Sequence, residues 1–229
     1  MSAIDDLSRL PPPAPPPMSP MLEAELARLA PVATRRPFRQ VVLLVALSLV
    51  YGAGVLAMLA MRPDARELPM GWLFGAAVAW LVGFVVPLYL ATVPRRGAIT
   101  PRWRLAGIAA LVGSVGFVAL GLCVHPSGPS TVMLGWDHFG RGAGCLGTGV
   151  ATALVPVVGG AIALRGALPV GSRWIAAALG AGGGSLGGLV LHLHCRVGDA
   201  LHIGLFHGGV VGVSALLAAA LVPRATDVR

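Results

Sequence analysis

The run Leu179–Gly209, LGAGGGSLGGLVLHLHCRVGDALHIGLFHGG, decides how this chain folds. It carries four of the six histidines and one of the three cysteines. Two glycine ladders flank its polar centre: Gly180, Gly184 and Gly188 precede the first histidines, and Gly204, Gly208 and Gly212 run through and beyond the last. A four-residue step sets each ladder on one helix face. A face without side chains lets another backbone approach closely, which is how helices associate in lipid, where apolar burial supplies no drive. The run is therefore predicted to be a tightly packed helical hairpin with a polar tip. A glycine-rich apolar chain yields isolated G-x-x-x-G spacings by chance, but two consecutive triple ladders argue for packing.

Around this run the composition fixes the class. Of the 229 residues 56% are hydrophobic and only 11% charged, and the mean hydropathy is +0.81; a soluble domain carries roughly 25% charged residues. These values describe an all-α integral membrane protein. All 17 basic residues are arginine, and with 9 acidic residues they leave a net charge of +8. In a soluble protein that excess points to nucleic acid; here it is read as topology, with no direct nucleic-acid partner. No signal peptide is expected, because the first apolar run begins only at Val41, is longer than an h-region and follows a proline-rich tail. It is expected to remain as an anchor in the bilayer.

Residues 1–40 form a cytoplasmic tail of different material. Leu10–Pro20 is almost all proline, alanine and serine, an extended spacer that packs no core, so the tail is expected to be disordered. Short amphipathic pieces flank it: Ile4, Leu7 and Leu10 fall at helical spacing, as do Leu22, Leu26 and Leu29, the latter behind Ser19 as N-cap and Pro20 at the first helical position. Either piece is too short to be a stable helix alone. They are solvated tail or a segment that folds against a cytoplasmic partner, with Leu22, Leu26 and Leu29 as the contact stripe.

Residues 41–222 hold six apolar runs, 41–61, 70–93, 105–124, 144–164, 174–193 and 203–222, each near the roughly 20 residues that cross 30 Å of hydrocarbon. Backbone groups in lipid must be satisfied within a helix or a closed barrel, and these runs are too long and too uniformly apolar for barrel strands. The expectation is a six-span helical bundle, with Pro87 and Pro156 inside the second and fourth helices and no charge within a span. Arginine orients it. Arg28, Arg35, Arg36 and Arg39, then Arg95, Arg96, Arg102 and Arg104, then Arg165 and Arg173, then Arg224 and Arg229 enrich alternate connections, whereas the others carry Arg62, Arg66, Arg141 and Arg196 beside Asp64, Glu67, Asp137 and Asp199. The positive-inside rule places both ends, including 223–229, in the cytoplasm.

That orientation puts every histidine and cysteine at or near the outer face. Cys123 and His125 end the third helix, His138 lies in the following loop, and Cys145 opens the fourth helix. His192, His194 and Cys195 close the fifth, and His202 and His207 begin the sixth. Thiolate and imidazole suit zinc, copper and related metals. Cys145, Cys195, His192, His194 and His207 are the candidate cluster, for a soft metal ion or for a Cys145–Cys195 disulfide, with hydrogen-bonding groups satisfied inside the bundle as the plain alternative. Ser185 and His207 faintly resemble the serine–histidine pair of rhomboid intramembrane proteases. Leu186 stands where that family has glycine, and the second helix offers no oxyanion donor, so no enzyme is expected.

Taken together, the Leu29–Ala30–Pro31–Val32 element at the end of the tail, six short helices, Cys145 at the outer start of the fourth and Leu193–His194–Cys195 at the outer end of the fifth resemble the multi-pass membrane anti-sigma factors of the negative-regulator-of-sigma-F type. The light-response and carotenoid-synthesis anti-sigma proteins, of similar size and span number, are a related alternative. Arg196 and Val197 follow Cys195 where the family usually continues Cys-Pro-Glu. The resemblance implies a bacterial inner-membrane protein that holds an extracytoplasmic-function sigma factor at its cytoplasmic side and frees it on an outer-face signal, a metal, an oxidant or a light-derived one. The rival class is a metal or haem carrier or transporter that uses the outer histidines directly.

Overall fold

The computed structural model describes residues 19–28, 36–94, 100–124, 136–165 and 172–226. The described residues contain helices and no strand. By contacts the chain divides into Met1–Arg35 and Arg36–Arg229. In the first unit α1 (Pro20–Arg28) begins as its sequence predicts. The Ser19 hydroxyl accepts from the Leu22 N–H at 3.3 Å, and proline follows at the first helical position, where its missing donor costs nothing. Leu22 is exposed on α1, the side chain of Leu26 is not described, and Leu29 lies outside the described residues, as do Ile4, Leu7 and Leu10.

The second unit holds α2 (Pro37–Leu59), α3 (Met70–Thr92), α4 (Arg102–Cys123), α5 (Trp136–Leu164), α6 (Ser172–His194) and α7 (Gly209–Thr226), the last entered through a π-helical turn, His202–Gly208. This gives six helices long and apolar enough to cross a membrane, the sixth counted from His202. One of them is unlike the rest. α6 is buried without interruption from Ile175 to His192 and touches all the others, which close round it in the order α2, α3, α4, α7, α5. The five outer helices turn large apolar side chains outward, among them Leu47, Phe74, Leu111, Ile162 and Leu216. In lipid this costs nothing, so hydrophobicity cannot select the central helix. Small side chains select it: α6 is the least hydropathic span and the only one that neighbours can approach from every side.

The glycines of α6 serve different partners. A Cβ on Gly184 would lie 2.8 Å from the Val210 carbonyl oxygen and the Val211 Cα of α7, and one on Gly180 would strike the Ser214 carbonyl. Gly182 admits Phe84 and Leu88 of α3, Gly183 admits Ala153 of α5, Gly187 meets the backbone of Gly149, and Gly188 takes the ring of Trp80. The hairpin of α6 and α7 is thus real, but the two ladders do not face each other. Gly204 and Gly208 lie against Val118, Leu122 and Phe117 of α4, with Gly212 near Ser114. Regular four-residue spacing marks a bare face without naming what covers it.

The helices run up to a turn past the spans read from sequence, as at Pro37 and Thr226, and two differences matter for the site. α5 starts at Trp136 and not Gly144, two turns earlier, so His138 belongs to a helix and Asp137 and Arg141 fall within one. These turns are too polar to be read from apolar periodicity. The sixth span starts with π geometry, capped by the Asp199 carboxylate, which accepts from the His202 N–H at 2.8 Å.

Candidate functional site

Three elements meet at one end of the bundle. Cys145 comes from α5, Cys195 lies one residue past α6, and His202 and His207 project from the π-helical turn. The sulfurs of Cys145 and Cys195 are 3.9 Å apart, and Cys195 Sγ is 3.5 Å from His202 Nε2. One ligand atom from each of the four residues falls within 4.8 Å of all the others. Cys195, His202 and His207 are buried and Cys145 is half-buried. Among the described residues the Nε2 of His207 is buried with no well-formed hydrogen bond, the Cys195 thiol lying close enough to interact with it.

Local structure explains the convergence. An α-helix turns about 100° per residue, so histidines five apart would point roughly 140° away from each other. The wider π turn brings positions five apart toward one side. The His202 and His207 rings accordingly stand 5.0 Å apart, edge to face. On the α5 side the contact of Gly187 with the Gly149 backbone seats α5 hard against α6, one turn from Cys145. Phe206, edge-on to Phe139 at 5.8 Å and resting on Gly142, walls the cluster.

Of the residues singled out in sequence, Cys145, Cys195 and His207 are brought together. His192 and His194 are not among them. His192 Nε2 pairs with the Leu73 carbonyl at 3.0 Å and its ring lies 4.7 Å from Trp72. His194 Nδ1 pairs with the Ala60 carbonyl at 2.8 Å. They pair with the start of α3 and the end of α2, not with the cysteines. His202 takes the fourth place. Cys123 is exposed and apart; His125 and the side chain of His138 lie outside the description. The Ser185 hydroxyl donates to the Ala181 carbonyl at 2.9 Å, the usual bond of a serine within a helix.

Sequence reading also passed over Arg62. Its guanidinium is buried, forks onto the Asp64 carboxylate at 2.8 and 2.9 Å, and reaches the His192 carbonyl at 3.4 Å. Its main-chain N–H donates to the Leu193 carbonyl at 2.9 Å, and its cation lies 5.7 Å from the centre of the Trp72 ring. Hydrogen bonding to Arg62 holds the Asp64 carboxyl below its ordinary pKa. Nearby Ala60 ends α2 with φ 66° and ψ 154°, a conformation natural to glycine, and is the one described residue other than glycine at positive φ. Such a backbone stores of order 1–3 kcal/mol and survives only where its surroundings hold it.

Two thiols and two imidazoles form a donor set suited to a tetrahedral, soft or borderline cation. The same thiols need little movement to reach disulfide bonding distance. Fold and site together define a class: a helical protein compatible with multiple membrane crossings, with a buried thiol–imidazole centre at one end. The family described as negative regulator of sigma F matches residues 26–226, and the chain belongs to that family. It is thus of a kind that restrains a sigma factor. No curated protein and no solved structure matches the chain.

Proposed function

We propose that this protein is a membrane-held anti-sigma factor that sequesters an extracytoplasmic-function sigma factor in the cytoplasm and releases it when a signal reaches the centre of Cys145, Cys195, His202 and His207. The alternation of arginine-rich connections supports a topology with both ends in the cytoplasm and the centre at the outer face of the inner membrane. The exposure of Met21 and Leu22 on α1 supports capture of the partner by the tail. The observation that carries the reading is the convergence of four metal-ligating side chains from three elements at one end of a bundle whose core is mainly apolar.

The signal that fits best is a soft metal ion. A disulfide would employ the two sulfurs alone, whereas a metal ion would take the two thiols together with the imidazoles of His202 and His207, a set of four. Coordination would draw the start of α5, the end of α6 and the π turn together, and a packed bundle answers such a pull by moving between discrete arrangements. The test is a promoter read by the released sigma factor. Cys145→Ser or Cys195→Ser should keep the promoter repressed and abolish induction by cadmium ions, while Cys123→Ser should behave as wild type. Full induction in the Cys145→Ser, Cys195→Ser double variant would remove the centre from the account.

A further inference from the structure

We propose that Arg62 is the positioning residue through which the thiol–imidazole centre acts on the first two spans. This rests on the proposed function and names the route by which its signal leaves the site. The last turn of α6 leaves carbonyls that no helical N–H can satisfy. The Cys195 N–H takes that of Leu191, and Arg62 takes the next two, His192 with its guanidinium and Leu193 with its main chain. A cation at a helix C-terminus also complements the helix dipole. Arg62 lies in the connection that joins α2 to α3, some 130 residues away in sequence. The α6 histidines return the contact: His192 and His194 bond carbonyls of Leu73, at the start of α3, and of Ala60, at the end of α2.

Cys195 is thus two residues beyond a carbonyl that Arg62 holds. Any displacement of Cys195 toward Cys145, His202 or His207 travels through the peptides of His192–His194 and reaches that connection. The connection has little freedom to absorb it. The guanidinium is pinned by the Asp64 fork and the Trp72 face, and Ala60 already sits in a strained conformation. α2, which receives the push, is the helix that continues from the tail.

The experiment uses the full chain in membranes with its sigma factor bound, and cadmium ions as probe. Two quantities are read: sigma release against cadmium dose, and protection of Cys145 and Cys195 from maleimide, which reports the centre itself. Arg62→Met, which keeps the apolar stem, should bind the sigma factor and show wild-type maleimide protection, yet need about tenfold more cadmium for release or fail to release. Arg62→Lys should recover part of the response. Release from Arg62→Met at the wild-type dose would overturn the assignment, and so would protection lost in step with release. Should Arg62→Met not accumulate in membranes, Asp64→Asn decides: an intermediate dose supports the route and a wild-type dose overturns it. Wild-type release from the Cys145→Ser, Cys195→Ser protein would overturn the proposed function itself, whereas a normal response in Arg62→Met alone overturns only the role of Arg62.

Discussion

Replacing His207 by leucine removes an imidazole whose Nε2 is buried without a well-formed hydrogen bond among the described residues. Because an unsatisfied buried nitrogen is costly, the change should leave thermal stability equal or slightly higher while abolishing cadmium protection of the cysteines. A clear drop in Tm would show that the nitrogen is satisfied in the resting protein. Ala60→Gly relieves a conformation only glycine adopts easily; after the entropy of the freer unfolded chain is subtracted, it should stabilise the protein by roughly 0.5–2 kcal/mol in thermal unfolding. The Arg62–Asp64 pair lowers the Asp64 pKa, so its contribution is present above the unfolded value near 3.9 and is lost as pH falls through the lower folded value. Wild type and Asp64→Asn should therefore differ in Tm by a small, constant amount between about pH 5 and 8, the pair being partly exposed, and converge only in stronger acid. Sequence exposed the chemistry of these residues unevenly. Cys145 and Cys195 were legible because each ends or opens an apolar run. His192 and His194 share the hairpin tip with Cys195 and look equivalent to it, but helix rotation turns them toward Ala60 and Leu73. Arg62 was not legible, since its meaning lies wholly in a contact far away in the chain.

The π-helical turn is the element on which the centre depends. His202 and His207 are a poor pair by α periodicity, and a π turn leaves no pattern in apolar spacing; the Asp199 cap and the dense histidines were its nearest signals. The glycine ladders predicted close packing and hid its partners, because bare faces look alike. Gly184→Leu would drive a side chain into the Val210 carbonyl and should lower Tm, at a cost of 1–3 kcal/mol or more typical of overpacked interiors, whereas Gly54→Leu, with open space around it, should not. In the tail, α1 is capped as its sequence foretold, and Leu22, Leu26 and Leu29 are the stripe we propose for the partner contact. Serine at all three positions should free the sigma factor constitutively with the protein still in the membrane, as scored by the promoter without inducer; retained repression would reduce the tail to a tether.

For the whole molecule, the six spans followed from composition and run length, because lipid demands helices of one length. The arrangement of the spans did not, since every outer helix is apolar all round and only packing shows that α6 is central. Reporter fusions at Pro69, Ser127 and Gly198 should report the outside, and those at Gly97, Gly166 and Arg229 the cytoplasm; an outside signal at Gly97 would invert the account. The most direct test is to purify the full-length protein in lipid nanodiscs and offer it the sigma factors of its own cell, with and without cadmium ions. The account predicts stable retention of a sigma factor, release on cadmium addition, and retention despite cadmium when Cys145 and Cys195 are both serine. Folded protein that binds cadmium at the centre yet retains no sigma factor would contradict it, and would point to the metal carrier instead.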